Sequence, residues 1–196
     1  MEAGIHEAVS RFGQIDILVN NAGVMYTHRP GLTDRARWTA MLQINLMSVI
    51  EGCEASIQHM REANVEGRIV NITSLASRTP GGGIYGASKL AVEKYTDELR
   101  NSLENDSIRV TTIVPGGFST NLGRDLAPEE QQAFGARLGK ELARDEPDEE
   151  GRTPHFGIPD DVARAVLFAV AQPAYANISE LVVRPIKNID PDAFSV

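Results

Sequence analysis

The sequence predicts an α/β fold in which a parallel sheet carries crossover helices on its faces, and three observations support this prediction. Short apolar runs alternate along the chain with longer segments in which apolar residues recur every three or four positions. The runs are apolar at nearly every position, as expected of strands buried on both faces. Residues typical of turns follow them, for example Asn21-Ala22-Gly23 and Pro115-Gly116-Gly117.

The order of elements along the chain is strand, helix, strand, helix, strand, helix, strand. The predicted strands cover residues 15–20, 68–73, 108–114 and 178–184. The predicted helices cover residues 33–64, with Thr33 as N-cap and Asp34 in the first turn, residues 84–103, and a segment that begins at Pro159.

The composition is that of a folded protein and excludes several classes of function. With 42% hydrophobic and 23% charged residues, the 196-residue chain can bury a core, and we expect one domain over residues 1–196. Because 27 acidic residues outnumber 19 basic ones and no basic run is present, no surface for nucleic acid or an anionic membrane is expected. A single cysteine, with no signal peptide and no apolar segment long enough to span a membrane, predicts a cytoplasmic protein.

The segment 121–157 differs from the rest of the chain. It is rich in Glu, Asp, Arg, Gln and Ala and has no apolar run of the kind found in the predicted strands. We interpret it as an insertion that forms one or two short helices over the body. Together with the loop 24–32, it is expected to cover the substrate pocket.

Tyr85 and Lys89 are the most informative pair, because residues four apart on a helix lie on the same face. A nearby ammonium favours the phenolate and lowers the pKa of a tyrosine from about 10 toward the range in which a general acid or base works best. By itself the pair has an ordinary alternative, a solvated lysine beside a half-buried tyrosine.

Small or polar residues follow each of the first three predicted strands. Ser74 follows the second strand, eleven residues before Tyr85, and its hydroxyl can donate a hydrogen bond to a carbonyl oxygen. Asn21-Ala22-Gly23 follows the first strand, and Pro115-Gly116 follows the third. Because the carboxyl ends of parallel strands meet at one edge of a sheet, we expect these residues to line a single crevice.

Five motifs, in this order and at close to these spacings, resemble those of the short-chain dehydrogenase/reductase superfamily over nearly the whole chain. They are Asn20-Asn21-Ala22-Gly23, the helical Asn45, Ser74, Tyr85-x-x-x-Lys89 and Pro115-Gly116-x-x-x-Thr120. The resemblance implies part of a Rossmann-like, doubly wound parallel sheet with flanking helices. Residues 178–185, preceded by Pro159-Asp160-Asp161, are similar to bacterial NADP-dependent reductases of small alcohols, hydroxy acids and aldehydes.

The resemblance implies an oxidoreductase that transfers a hydride reversibly between a nicotinamide nucleotide and a small carbonyl compound or secondary alcohol. Tyr85 would be the general acid or base, and Lys89 would lower its pKa and hold the ribose hydroxyls. Ser74 would polarise the substrate carbonyl. Asn45 would distort its helix locally and hold a water that links Lys89 to solvent.

The implied cofactor is NADP or NAD, with NADP slightly favoured. The residues implied to contact it are Asn21, Ala22, Gly23, Tyr85, Lys89, Pro115, Gly116, Phe118 and Thr120. No histidine or cysteine spacing indicates a metal site. Three phenylalanines, Phe118, Phe134 and Phe156, indicate a substrate with an apolar component.

The Gly-rich turn of the family's nucleotide site, Thr-Gly-x-x-x-Gly-x-Gly, does not occur in the sequence. By the family's layout the first βαβαβ portion is absent, and the strand at 15–20 is then expected at the edge of the sheet. Three explanations stay open: a fragment of a longer enzyme, which is favoured, a chain completed by a partner, or a shortened relative without activity.

Other functions and a mode of assembly follow from these alternatives. A shortened inactive relative would act as a binding or oligomerisation module, and an isomerase or epimerase with the same hydride chemistry is a weaker possibility. In relatives the helices at 33–64 and 84–103 form the dimer and tetramer contacts, so a homodimer or homotetramer is expected.

Three further features have structural interpretations. Asn20 is expected to brace neighbouring strands, and Cys53 to be a small buried residue. Gly81-Gly82-Gly83 lacks the spacing of a phosphate loop and is interpreted as a flexible approach to Tyr85.

Overall fold

Four strands run parallel and pair in sequence order in the computed structural model, which describes residues 2–27, 31–132, 135–136 and 146–187. The strands are β1 (Ile17–Asn20), β2 (Arg68–Ile72), β3 (Arg109–Pro115) and β4 (Glu180–Val183). Ile69 of β2 lies opposite Leu18 of β1 and Val110 of β3, so the three strands are aligned along their length. The predicted α/β fold with a parallel sheet is confirmed.

Helices connect the strands. They are α1 (Glu2–Phe12), α2 (Arg35–Leu42), α3 (Ser48–Ala63), α4 (Gly83–Ser102) and α5 (Pro159–Val170). A π-helical turn, Gln43–Met47, joins α2 to α3, and a short 3₁₀ turn, Leu75–Ser77, follows β2. None of the helices in the described part of the chain is long and apolar enough to span a membrane.

The helix predicted over 33–64 starts later than expected. Asp34, not Thr33, is the N-cap, and its carboxylate accepts a hydrogen bond of 3.0 Å from the amide of Arg37. The helix ends where predicted, because Asn64 adopts the left-handed conformation (φ 52°) that caps α3. The strands are shifted or shortened by one or two residues relative to the prediction, as is usual at element ends.

Apolar side chains on the two faces of the sheet pack against different helices. On one face Leu18, Ile69 and Val110 pack with buried residues of α1, α3 and α4. On the other face Val70, Ile72 and Ile113 pack against α5. Helix α5 contacts β2, β3 and β4.

Burial of β1 on both faces is a prediction that the structure contradicts. Ile17 and Val19, on the face toward α5, are 48% and 40% exposed, whereas Leu18 and Asn20, on the other face, are buried. The cause is position, because β1 pairs with β2 alone and lies beyond the reach of α5. A strand rich in apolar residues is therefore half-exposed at the edge.

Candidate active site

The carboxyl ends of β1, β2 and β3 and the first turns of α4 meet at one edge of the sheet. Tyr85 and Lys89 of α4 are 7% and 4% exposed. A Cβ built on Gly23, which follows β1, would lie 3.4 Å from Lys89 Nζ and 3.3 Å from Asn45 Oδ1. Gly23, Lys89 and Asn45 are therefore neighbours at this edge of the sheet.

Hydrogen bonds of the Asn45 side chain connect the loop after β1 to α4. Its side chain accepts from the amide of Val24 (2.9 Å) and donates to the Val24 carbonyl (2.9 Å) and to Ser88 Oγ (3.0 Å). Ser88 in turn donates to the carbonyl of Tyr85 (2.7 Å). Asn45 is fully buried and lies inside the π-helical turn, so the implied local distortion of its helix is present. The water that Asn45 would hold stays a prediction.

Lys89 is a buried cation at the end of β2. Its Nζ donates to the carbonyl of Ile72 (3.0 Å). Burial disfavours the charged ammonium and lowers the pKa of Lys89 to about 8. An ammonium has three hydrogens, so this single backbone acceptor leaves donors that can serve hydroxyl groups.

The Ser74 side chain lies close enough to the Tyr85 phenol to influence its pKa. Burial raises the pKa of the Tyr85 phenol, and the Ser74 side chain acts in the opposite direction. Ser74 is the N-cap of the 3₁₀ turn, with extended backbone and its Oγ accepting from the Ala76 amide (3.2 Å). The lowering of the Tyr85 pKa by Lys89 stays a prediction.

Two glycines on either side of Tyr85 are needed for close packing. A Cβ on Gly82 or on Gly86 would collide with the carbonyl oxygen of Ala76. The first turn of α4 is therefore packed against the turn that follows Ser74. At Gly82 the missing side chain permits this backbone contact, and flexibility of Gly81-Gly82-Gly83 stays a prediction.

An apolar wall surrounds Tyr85. It consists of the buried Val24 and Met41 and of the half-buried Met25, Tyr26, Trp38, Ile44, Ala76, Ile84 and Leu122. Sequence reasoning placed Met25 and Tyr26 at the pocket but missed Trp38 and Met41, because their helical spacing resembles that of ordinary core residues. Two of the three phenylalanines are not part of this wall, because Phe118 packs on Gly157 and Phe156 is buried elsewhere. Phe134 lies outside the described residues.

The described part of 121–157 contacts the loop after β1 and α2, and its role as a cover of the substrate pocket stays a prediction. Residues 128–132 are helical. Glu130 accepts hydrogen bonds from Thr27 Oγ1 and, through both carboxylate oxygens, from Arg37 Nη1 (2.9 Å each). The segment is thereby attached to the loop after β1 and to α2, on the side where Leu122 packs near Tyr85.

The residues after β3 lie at the same edge. Gly116 donates its amide to the carbonyl of Val183 (2.8 Å), and Phe118 forms a parallel bridge with Gly157. Thr120 is exposed and accepts from the Leu122 amide (3.3 Å). A cavity of about 680 Å³ borders Phe118, Gly157 and the residues after β4, but its lining includes neither Tyr85 nor Lys89.

Two structural interpretations are confirmed. Asn20 donates to Asn71 Oδ1 (2.8 Å) and so braces β1 against β2. Cys53 is fully buried, and burial raises the pKa of its thiol to about 12. Among the described residues, no three His, Cys, Asp or Glu side chains are grouped as metal ligands would be.

Comparison with known proteins places these features in a family. A family model described as short chain dehydrogenase matches residues 1–131. An uncharacterised oxidoreductase of Staphylococcus saprophyticus is 33% identical over 184 residues, which cover 93% of this chain and 68% of the relative.

Two solved structures are similar to this chain. A serine dehydrogenase in complex with NADP+ is 30% identical, with a TM-score of 0.75, and the match covers 95% of this chain and 73% of that one. A gluconate 5-dehydrogenase from Burkholderia cenocepacia, in complex with NADP and tartrate, is 29% identical, with a TM-score of 0.71 and 94% and 69% coverage. The chain therefore belongs to the short-chain dehydrogenase family of oxidoreductases.

Proposed function

We propose that this chain carries the catalytic centre for reversible hydride transfer between a nicotinamide nucleotide and a small carbonyl compound or secondary alcohol. The observation that supports this most directly is that the half-buried Ser74 and the buried Tyr85 lie side by side at the sheet edge where Lys89 meets Gly23. A proton donor and a second hydroxyl side by side match the needs of a carbonyl oxygen that gains negative charge.

The residues at the edge fit the nicotinamide end of such a nucleotide. Gly23 has no side chain to fill the space beside Lys89, whose ammonium retains donors for ribose hydroxyls. The Thr120 hydroxyl is exposed beside this edge. The proposed contact residues are Asn21, Ala22, Gly23, Tyr85, Lys89, Pro115, Gly116, Phe118 and Thr120. When bound, the nucleotide supplies or accepts the hydride.

The side chains of this chain handle the proton. In the direction of reduction, Tyr85 Oη donates its proton to the carbonyl oxygen, and Ser74 Oγ donates a hydrogen bond to the same oxygen. The Tyr85 phenol carries the proton to be donated, and burial raises its pKa. A lowering of that pKa by Lys89 would bring it toward the range in which a general acid works best. The Lys89 ammonium stabilises the phenolate that remains, and the apolar wall excludes water from the step.

The relatives favour NADP and a small polar substrate. Two of the similar structures hold NADP+ or NADP, and their names refer to serine and gluconate. The substrate class that we propose for this chain is a small hydroxy compound, aldehyde or ketone. We also propose that residues 1–196 act as one domain and assemble through α2, α3 and α4, where Leu42, Met47 and Leu90 are exposed.

The proposal is tested by nucleotide binding and turnover. NADPH and NADH are titrated against the purified chain, and reduction of small aldehydes and ketones, or oxidation of serine and gluconate, is followed at the nicotinamide absorbance. Tyr85→Phe is expected to lower turnover by about 10³-fold, in the range of general acid catalysis. Tyr175→Phe is the matched control, because Tyr175 is 89% exposed and lies away from the site.

Two outcomes would overturn the proposal. One is full turnover in the Tyr85→Phe protein. The other is failure to bind either nucleotide both in this chain and in a longer protein that includes the sequence encoded upstream. Oligomerisation that survives Tyr85→Phe and Lys89→Ala, with no nucleotide bound in either form, would instead favour a binding module.

A further inference from the structure

Glu93 is a buried carboxylate that the proposed chemistry does not use. It lies on α4 at successive four-residue steps from Tyr85 and Lys89, so the three side chains share one face of the helix. Glu93 is 9% exposed. Keeping a carboxylate at such a place is costly unless it is paired and hydrogen-bonded.

The partners of Glu93 are in the turn that carries Ser74. Its Oε1 is 2.6 Å from Ser77 Oγ, and its Oε2 accepts from Arg78 Nε at 3.0 Å. Ser77 Oγ is also 2.5 Å from the carbonyl oxygen of Ser74. Glu93 is thus separated from the backbone of Ser74 by a single hydroxyl.

Arg78 extends the network to the sheet. Its two terminal nitrogens form a bidentate pair with the carboxylate of Glu180, the first residue of β4. Glu93, on the helix, and Glu180, on the strand, therefore hold the same guanidinium from two sides. The turn between them is connected to both elements through charge-assisted hydrogen bonds.

The turn is only half-buried, because none of its residues, Leu75–Ser77, is fully buried. Ala76 packs in the apolar wall around Tyr85, and its carbonyl lies against Gly82 and Gly86. The polar contacts of Ser77 and Arg78 add to this support. The position of the turn determines where Ser74 Oγ lies relative to Tyr85.

We propose that Glu93 is a positioning residue which, through Ser77 and Arg78, holds the turn so that the Ser74 hydroxyl stays beside the Tyr85 phenol. The proposal rests on the proposed function only for the roles of Ser74 and Tyr85. It assigns Glu93 no contact with substrate or nucleotide. Its effect on chemistry is transmitted through the alignment of the two hydroxyl groups.

The test is the titration of Tyr85 itself, which requires neither substrate nor cofactor. The chain is labelled at tyrosine Cζ, its NMR signal for Tyr85 is assigned with Tyr85→Phe, and the pKa is measured in Glu93→Ala and Glu93→Gln. Displacement of the Ser74 hydroxyl from the Tyr85 phenol is expected to raise the pKa of Tyr85 by about 0.5–1 in Glu93→Ala. Glu93→Gln keeps an acceptor for Ser77, so a smaller rise is expected. Glu98→Ala removes an exposed carboxylate paired with Lys94 on the same helix and should leave the pKa unchanged.

The sign of the shift separates this proposal from a direct electrostatic effect. Removing a negative charge near a phenol lowers its pKa, whereas moving the Ser74 hydroxyl away raises it. In a Ser74→Ala background, Glu93→Ala is expected to produce no further rise. A lowered or unchanged pKa in folded Glu93→Ala, or an equal rise in the Ser74→Ala background, would overturn the proposal.

A second variant covers the case in which the Glu93 substitutions prevent folding. Glu180→Gln weakens the other anchor of Arg78, and the Glu180 side chain is 42% exposed, so the core is not disturbed. A smaller rise in the pKa of Tyr85 is expected, and no rise would contradict the proposal. Because the titration does not depend on activity, its result is independent of whether hydride transfer is observed.

Discussion

Two buried polar clusters on opposite parts of α4 use similar side chains for different purposes. The first, here the strand cluster, consists of Asn20, Cys53, Asn71 and Thr96. The second, here the edge cluster, consists of Asn45, Ser74, Tyr85, Ser88 and Lys89. Both contain fully buried asparagines and hydroxyl groups, so composition alone does not distinguish them.

The two clusters differ in where their hydrogen bonds lead and in the titratable groups that they contain. In the strand cluster Asn71 donates to Thr96 Oγ1 (2.9 Å), and Thr96 donates to the Val92 carbonyl (2.7 Å), which closes the chain of bonds on a helix. Its one titratable group, Cys53, stays neutral because burial raises its pKa to about 12. The edge cluster holds Tyr85 and Lys89, whose pKa values burial shifts in opposite directions. The strand cluster, whose bonds end on the backbone of a helix, aligns two strands, whereas the edge cluster contains the ionisable groups that the proposed chemistry uses.

The largest expected difference between the clusters is in turnover. Lys89→Met replaces a buried ammonium with an apolar side chain of similar length. Turnover is expected to fall by about 10²–10³-fold, because the phenolate loses its cation, while stability at neutral pH should not decrease. Steady-state kinetics and urea unfolding of the same preparations measure both quantities. Normal turnover in Lys89→Met would show that Lys89, like the residues of the strand cluster, takes no part in the reaction.

The pH dependence of stability should also depend on Lys89. Its folded pKa of about 8 is below the ordinary value of 10.5, so between these values the unfolded chain binds more protons than the native one. Stability of the wild type should therefore rise with pH across this window relative to Lys89→Met, by up to about 3 kcal/mol. Denaturant unfolding at several pH values provides the comparison. Parallel curves for the two proteins would contradict the assigned shift.

Substitution of Asn71 should lower stability and leave turnover nearly unchanged, which is the opposite of the effect expected at Lys89. Asn71→Leu removes its bonds to Asn20 and Thr96 and leaves buried polar groups without partners, at a cost of about 2 kcal/mol in unfolding free energy. Turnover per folded molecule should stay within about twofold, because no atom of the strand cluster reaches the site. Asn101→Leu, at an exposed position of α4, is the control for stability. A large loss of turnover would mean that the clusters are coupled through α4.

The smallest effect is expected from substitution of Glu130, which contacts the loop after β1 and α2 near the edge cluster. Glu130→Gln weakens the pair with Arg37 and the bond from Thr27, both partly exposed, so stability should change by less than about 1 kcal/mol. Amide exchange should nevertheless become faster in residues 24–27 and 126–132. Asp106→Asn breaks the Arg61 pair at a distant place and should leave that exchange unchanged. Equal exchange in all three proteins would show that Glu130 does not hold the segment.

Much of the edge cluster could be predicted because its residues follow local rules. Tyr85 and Lys89 are four apart on a strongly periodic helix, and Ser74 and Gly23 directly follow apolar strands. The parallel order of the sheet then requires these strand ends to meet. Asn20, at the end of an inward-facing strand, was for the same reason correctly expected to brace its neighbour.

Contacts between distant residues could not be predicted in this way. The local distortion at Asn45 was implied by the family resemblance, but the hydrogen bonds of Asn45 with Val24 and Ser88 join residues far apart in the chain. Arg78 pairs with Glu180, and Arg37 with Glu130, across long stretches of chain in which many other carboxylates are available. The edge position of β1 was expected and is confirmed, whereas the exposure of Ile17 and Val19 also depends on where α5 packs, which the composition of β1 does not reveal.

The sequence by itself determined the parallel α/β fold, the family and the positions of Ser74, Tyr85 and Lys89, because periodicity and motif spacing act over a few residues. The tertiary structure alone decided the properties of these groups. Burial sets the shifted pKa values of Tyr85 and Lys89, and the contacts of Glu93 with Ser77 and Arg78 set the place of the Ser74 hydroxyl. Desolvation and alignment are properties of packed surroundings, which are formed by residues far apart in the chain.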